Sequence, residues 1–358
     1  MAPAPHKPLL FRALSSVDNA IQCLACSHAC VLGLNEFGQC GVRQNQNGTL
    51  RLLVDGIVAA SHLDPIEKKP FYHVLPGQRI FSIGTVGCNF RCLFCQNWEI
   101  SQLHHALDTT LSTSDGAVSL QQHILSYGSS LSPQQIVEYC RKKRISLLAF
   151  TYNEPTIFFE YAYATASLAH QAGIKTVFVS NGYLTSSALE TIRPYLDAIN
   201  IDLKSFRDDF YKTYCNAHLA PVLATIQKAH ALGIWVEVTT LLIPSLNDSD
   251  KEILDLANFL AALDINIPWH LTAFYPSYKM SAYPPTPYRT LLRAYSLGKK
   301  AGLRYVYLGN CRDVQRSSTF CHSCNAMLIQ RDGYHVNVLG IDHGSCIACG
   351  QQIPGIWQ

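Results

Sequence analysis

Seven short apolar runs punctuate the chain between residues 79 and 309: RIFSIG (79–84), SLLAFT (146–151), KTVFVS (175–180), AINIDLK (198–204), IWVEVTTLLI (234–243), WHLTAFY (269–275) and RYVYLG (304–309). They are rich in β-branched and aromatic residues and apolar almost throughout, the pattern of strands buried on both faces. Between them lie stretches with helical spacing. One opens at Ser132-Pro133, a Ser N-cap with Pro at the first helical position; others cover about 156–171, 219–232, 250–263 and 287–302. Repeated βα units imply a parallel sheet covered by helices. The expected fold class is α/β, and units of about 35 residues fit a partial (β/α)6 TIM-type barrel better than a doubly wound sheet.

In such a barrel the working residues stand at the C-terminal ends of the strands. Following the runs in order, those positions hold Gly87-Cys88, Tyr152-Asn153-Glu154-Pro155, Asn181-Gly182-Tyr183, Asp202-Leu203-Lys204, Ile243-Pro244-Ser245 and Tyr275-Pro276. Polar and special-backbone residues on otherwise apolar strands predict one site on that rim.

Eleven of the 14 cysteines fall into three groups: Cys23, Cys26, Cys30 and Cys40; Cys88, Cys92 and Cys95; and Cys321, Cys324, Cys346 and Cys349. No apolar run reaches the roughly 18 residues of a membrane span, and the N-terminus lacks the pattern of a signal peptide. The expected location is therefore cytoplasmic, where clustered cysteines read as metal ligands rather than disulfides. Charged residues make up only 15% of the 358 and net charge is +3, so nothing favours nucleic acid as a partner. The groups suggest an N-terminal cysteine-motif segment (1–70), a barrel (71–310) and a C-terminal metal ribbon (311–358). Paired C-x2-C knuckles at 321/324 and 346/349 favour a structural zinc in a zinc-ribbon-like module, too small to fold without it. Cys23, Cys26, Cys30 and Cys40 also close a four-thiolate set, for zinc or a second [4Fe–4S] cluster, with His28 a surface residue. Cys140, Cys215 and Cys311 read as core thiols. The His104–Ser132 stretch, rich in Ser, Thr, His and Gln, reads as a long loop.

The middle group has three cysteines, as CxxxCxxC, directly after the first barrel strand. Structural zinc wants four closed ligands. Three thiolates can instead hold three corners of a [4Fe–4S] cube and leave one iron open to the amine and carboxylate of a small molecule. If that molecule is S-adenosylmethionine, an electron from the cluster breaks its C–S bond and gives a 5′-deoxyadenosyl radical. Gly84 and Gly87 let the loop turn tightly, and Phe94 is placed to pack on the adenine.

The loop resembles that of the radical S-adenosylmethionine superfamily. EKKPFYHVLPGQRIFSIGTVGCNFRCLFCQNWEIS (67–101) resembles the pyruvate formate-lyase activating enzyme group, and within it the radical enzyme of the AmmeMemoRadiSam system. TYNEPTIFFEYA, VSNGY, INIDLKSF, LLIPSLND and the C-terminal CxxC pairs with GIW follow in order. The resemblance implies that Glu154 faces the methionyl ammonium and that Asn181 contacts methionine or ribose. It also implies that Asp202 and Lys204 face the methionyl carboxylate and the substrate, and that Leu242 and Ile243 flank the adenine. It implies a protein or peptide substrate, with a glycyl radical as one product, and an electron donor such as flavodoxin or ferredoxin. The AmmeMemoRadiSam variant implies AMMECR1-like and Memo-like proteins as partners and a different target. AFYPSYKM and the 104–132 excursion depart from the family pattern where a substrate could enter. The competing classes are a non-enzymatic iron–sulfur or zinc scaffold, which needs a fully ligated cluster, and a zinc-ribbon nucleic-acid binder.

Overall fold

Each expected strand forms where its apolar run lies. A computed structural model describes residues 6–14, 19–103, 124 and 126–358. Its central sheet has eight strands in chain order: β1 (Ala60–Pro65), β2 (Arg79–Gly84), β3 (Leu147–Phe150), β4 (Lys175–Ser180), β5 (Ala198–Asp202), β6 (Trp235–Leu242), β7 (Trp269–Ala273) and β8 (Val306–Gly309). From β2 to β8 every neighbouring pair is parallel. Helices α1 (Pro133–Lys143), α2 (Phe159–Gln171), α3 (Ser186–Ile192), α4 (Leu219–Ala231), α5 (Asp250–Leu263) and α6 (Tyr288–Lys300) fill the crossovers. Their starts follow local chemistry. Ser132 and Gln135 cap α1 reciprocally, and Ser249 accepts from the Glu252 amide at the head of α5.

The result is an α/β fold with a mostly parallel sheet, consistent with a partial barrel. Seven parallel strands stand at the seven apolar runs, and the first six are each followed by a crossover helix, which makes six βα units. The seventh, β8, is followed only by the four-residue helix Val314–Ser317, so it ends the series without a full unit. The sheet also takes in β1, which precedes the expected boundary at residue 70. The β1–β2 connection holds only a three-residue helical turn and no crossover helix, and the pair is antiparallel. Most of the 104–132 excursion lies outside the described residues; where the chain returns, Ser129–Ser130 pairs with Ile57–Val58. Among the described residues no helix is long and apolar enough to cross a membrane.

The two flanking segments pack on opposite ends of the strands. Near the C-terminal ends, the N-terminal segment docks by Ser27 N–H to Tyr183 O (2.9 Å) and Thr185 Oγ1–H to Leu24 O (2.7 Å). The buried Arg43 joins it to α2 through Glu160 at 2.7 and 2.9 Å. At the N-terminal ends, the hairpin of Met327–Asp332 and His335–Val338 is tied down by Arg331, whose Nη2 donates to Tyr72 O (2.7 Å).

The floor is organised by Glu237 of β6, which is fully buried. Its carboxylate accepts from the amides of Tyr72 (3.0 Å) and His73 (2.9 Å), from Trp235 Nε1 (3.1 Å), and pairs with His270 Nε2 (2.6 Å). Burial works against its charge, but His270 and these donors hold its pKa below the ordinary carboxylate value. His73 continues the network to Tyr307 (2.7 Å) and to Pro354 O (2.7 Å) in the tail. Removing the carboxylate strands several buried donors at once. Glu237→Ala is expected to lower the unfolding free energy by about 3–5 kcal/mol in urea denaturation. A loss of less than about 1 kcal/mol would show that the floor does not hang on this residue.

Candidate active site

The cysteine loop leaves β2 through two positions that admit no side chain. A Cβ on Gly84 would lie 2.5 Å from Thr151 O; on Gly87, at φ +88°, it would lie 2.7 Å from Cys40 O. The loop root is then clamped by Asn153, at the end of β3. Its Nδ2 donates to Thr85 Oγ1 and Gly87 O, both at 2.9 Å, and its Oδ1 accepts from the Thr85 amide at 3.1 Å. Gly87 N–H closes the far side onto Ile100 O (2.9 Å). The middle of the loop rests on a π-helical turn, Tyr211–Cys215, through Arg91 N–H to Cys215 O and Leu93 N–H to Tyr214 O. The AFYPSYKM segment clasps it from outside: Ser277 Oγ donates to Cys95 O (3.2 Å) and Lys279 N–H to Leu93 O (3.0 Å).

Cys88, Cys92 and Cys95 thereby wall one side of a cavity of about 270 Å³ at the strands' C-terminal ends. Phe94, Glu154, Asn181, Asp202 and Lys204 line the same cavity, so eight of the residues expected there from the sequence come together. Leu242 and Ile243 do not: their side chains are fully buried, and Thr239 and Leu241 line the cavity instead. Strand side chains alternate, so the inward parity of β6 runs through Glu237, Thr239 and Leu241. Reading that parity from the buried Glu would have found Leu241.

The charges are arranged by sign. Glu154 accepts from the Thr156 amide (3.1 Å) and hydroxyl (2.5 Å), Ser180 Oγ (2.9 Å) and the Asn181 amide (2.7 Å). Burial raises its pKa, and these donors oppose the rise. It is also the cap of the helical turn that follows, so it fixes the rim as well as facing the cavity. Lys204 Nζ pairs with Asp202 Oδ2 at 2.9 Å and lies 5.7 Å from the Phe94 ring centre. Burial works against its ammonium, but Asp202 and the neighbouring thiols keep its pKa above the ordinary value.

Two contributors left no mark in the sequence. Cys215, one of the isolated cysteines, is fully buried, and its thiol lies close enough to Cys92 to interact with it electrostatically. The neighbouring Cys215 thiol and Lys204 draw Cys92 below the ordinary thiol value against burial, whereas burial pushes Cys88 well above it. Asn89 accepts from Asn181 Nδ2 (2.7 Å), while its own buried Nδ2 has no well-formed hydrogen bond.

Of the other cysteines, Cys321, Cys324, Cys346 and Cys349 form the only group of three or more ligand-type side chains, among the described residues, whose donor atoms all lie within 4.8 Å of one another. Pairs 321/349 and 324/346 are 3.7 Å apart, so this set could hold one metal ion. Cys23, Cys26, Cys30 and Cys40 line a small cavity of their own. His28 does not reach it; its Nε2 bonds Asn89 O at 2.8 Å.

The radical SAM superfamily profile matches residues 82–257, from β2 into α5. An uncharacterized protein of Methanocaldococcus jannaschii is 37% identical over 339 residues, covering 94% of this chain and 96% of its own length. A second protein of that archaeon, provisionally named a glycyl-radical enzyme activating enzyme, is 26% identical over 53% of this chain and 65% of its length. Among solved structures, a domain of pyruvate-formate lyase-activating enzyme from Bacteroides vulgatus aligns with a TM-score of 0.41 at 19% identity, covering 45% of this chain and 98% of the domain. Because the profile takes in the three-cysteine loop and the strands that deliver Glu154, Asn181 and Asp202 to one cavity, the chain belongs to the radical SAM superfamily and is an enzyme.

Proposed function

We propose that Cys88, Cys92 and Cys95 hold a [4Fe–4S] cluster with one iron open to S-adenosylmethionine, and that the enzyme abstracts hydrogen from a protein or peptide. The superfamily implies the cluster and S-adenosylmethionine. The observation that carries the assignment is the cavity itself: three cysteine sulfurs on one wall, and a carboxylate, an amide and an ammonium on the facing walls. When bound, the cluster supplies one electron to the sulfonium, releasing the 5′-deoxyadenosyl radical that takes the hydrogen.

The chain's own residues bind, orient and exclude water. Lys204, held by Asp202, meets the methionyl carboxylate; a cation poised beside its counter-ion can turn to a second carboxylate without moving its backbone. Glu154 places negative charge for the methionyl ammonium, and its bonds to Ser180 and the Asn181 amide keep that charge in register. Phe94 and Leu241 supply apolar wall for the adenine. The protein or peptide target is supported by the activating-enzyme name of the second relative and by the rim, where Trp98 stacks on Tyr278 at 5.3 Å and Tyr275 is exposed. The 67–101 stretch favours the AmmeMemoRadiSam type within the group, with AMMECR1-like and Memo-like proteins as candidate partners.

The C-terminal four thiols are assigned to zinc: a tetrahedral ion with Zn–S of about 2.3 Å sets its sulfurs about 3.8 Å apart, close to the spacing found. Being at the strands' opposite ends, this metal stabilises the tail rather than acting at the cavity.

After anaerobic reconstitution, dithionite and S-adenosylmethionine are expected to yield 5′-deoxyadenosine, with Cys92→Ala at background. Full iron loading without any product would favour a scaffold. Lys204→Gln is expected to weaken S-adenosylmethionine binding about ten- to a hundredfold, the 1.5–3 kcal/mol of a hydrogen bond to a charged group, at unchanged iron content; unchanged affinity would remove Lys204 from the binding site. Cys324→Ser with Cys349→Ser is expected to lose one zinc per chain and lower the melting temperature while 5′-deoxyadenosine formation persists. Retention of that zinc would contradict the assignment.

A further inference from the structure

The chemistry at the cavity needs only three thiols, yet four more stand directly behind it. Cys23, Cys26, Cys30 and Cys40 line one small cavity with Arg43 and Thr156. Their spacing separates them from the C-terminal set. That set draws all its donor atoms within 4.8 Å, as one ion requires; among the described residues no three of the N-terminal sulfurs do so, and in this they match Cys88, Cys92 and Cys95. Thiolates around a [4Fe–4S] cube each ligate a different iron, so they stand farther apart than thiolates sharing one ion.

The wall of this cavity adds a second observation. Arg43 is 2% exposed. Its Nη1 and Nη2 are engaged by Glu160 and Ile157 O, but its buried Nε has no partner. An unused charged donor beside thiol sulfurs suits the sulfide and thiolate acceptors of an anionic cluster, whose potential such bonds tune.

The two cysteine sites are one residue layer apart. Cys40 O lies against Gly87, the neighbour of Cys88. Asn89, which follows Cys88, presents its amide beside the Cys26 thiol and its carbonyl to His28. Thr156 lines the N-terminal cavity and donates to Glu154, which lines the other. We propose that Cys23, Cys26, Cys30 and Cys40 hold an auxiliary [4Fe–4S] cluster that relays electrons across Gly87–Asn89 to the cluster at Cys88, Cys92 and Cys95. This rests on the reading of those three as ligands of the S-adenosylmethionine-binding cluster. A one-electron donor of the low-potential flavin- or iron–sulfur-protein class reduces the auxiliary cluster from the 2+ to the 1+ state. Passing that electron to the cavity cluster, itself going from 2+ to 1+, returns the auxiliary cluster to 2+, and no bond or proton changes place.

The test uses the full chain, reconstituted anaerobically with ferrous iron and sulfide. Wild type is expected to hold about eight irons and one zinc. The triple variant Cys88→Ala, Cys92→Ala, Cys95→Ala is expected to keep about four irons, with an EPR signal on reduction that S-adenosylmethionine does not perturb. Cys23→Ala with Cys26→Ala is expected to keep the perturbable signal and dithionite-driven 5′-deoxyadenosine, while reduction by reduced flavodoxin slows about tenfold or more. Four irons in wild type, all lost in the triple variant, with a second zinc per chain, would overturn the proposal even if 5′-deoxyadenosine forms. Equal flavodoxin rates in wild type and the double variant would overturn the relay. Should the double variant not fold, the iron count and EPR of the triple variant decide alone. Eight irons without 5′-deoxyadenosine would support the auxiliary cluster while removing the reading of the cavity.

Discussion

The clamp of Asn153 on the root of the cysteine loop is the contact on which the site depends. A loop that turns at Gly87 and carries three thiols has no helix or ladder of its own to fix it. One buried amide pins its root, holding Thr85 and Gly87 at 2.9–3.1 Å from a residue rooted in the neighbouring strand. The next residue is Glu154, which binds Ser180 and Asn181 at the end of β4. Two consecutive side chains thus tie three strand ends and the loop into one unit, and the sulfurs acquire defined positions relative to the facing charges. Two buried polar residues left fully hydrogen-bonded specify a geometry that apolar packing alone leaves open.

The remaining layers support this unit from both ends. Below, Glu237 gathers backbone donors from residues 72 and 73 and the His270 ring, so the floor cannot shear against the tail. Above, the N-terminal segment presses Cys40 O against Gly87 and ties Arg43 to Glu160. The three cysteine groups are therefore not independent decorations. One lies at the mouth, one behind its loop, and one under the floor, which assigns them different environments and different tasks.

Much of this was legible in the residues. The apolar runs located every parallel strand because strands buried on both faces must be apolar throughout, and the rim residues followed from their C-terminal ends. Cys88, Glu154, Asn181, Asp202 and Lys204 were found in that way, and Cys92, Phe94 and Cys95 from the CxxxCxxC loop that follows the first strand. Leu242 was misplaced by a single register step, because the apolar end of β6 does not by itself show which parity faces inward; Ile243 has the inward parity but lies just past the strand, where its amide donates to Asn247 Oδ1 (2.6 Å) and the chain turns away. Cys215 and Asn89 were beyond reach for another reason: their roles come from packing a distant π-helical turn and an N-terminal segment onto the loop, contacts with no local sequence period. The early edge strand Ala60–Pro65 was missed because its ASHLDP sequence is polar, as an edge permits.

The proposed open iron corner can be tested directly by electron–nuclear double resonance on the reduced, reconstituted protein with S-adenosylmethionine labelled with 15N at the amine and 17O at the carboxylate. Coupling of both labels to the cluster is predicted, unchanged when Cys215 is replaced by Ser. Absence of both couplings in an iron-replete sample, or their appearance only once Cys215 is removed, would mean that a protein ligand already occupies the fourth corner.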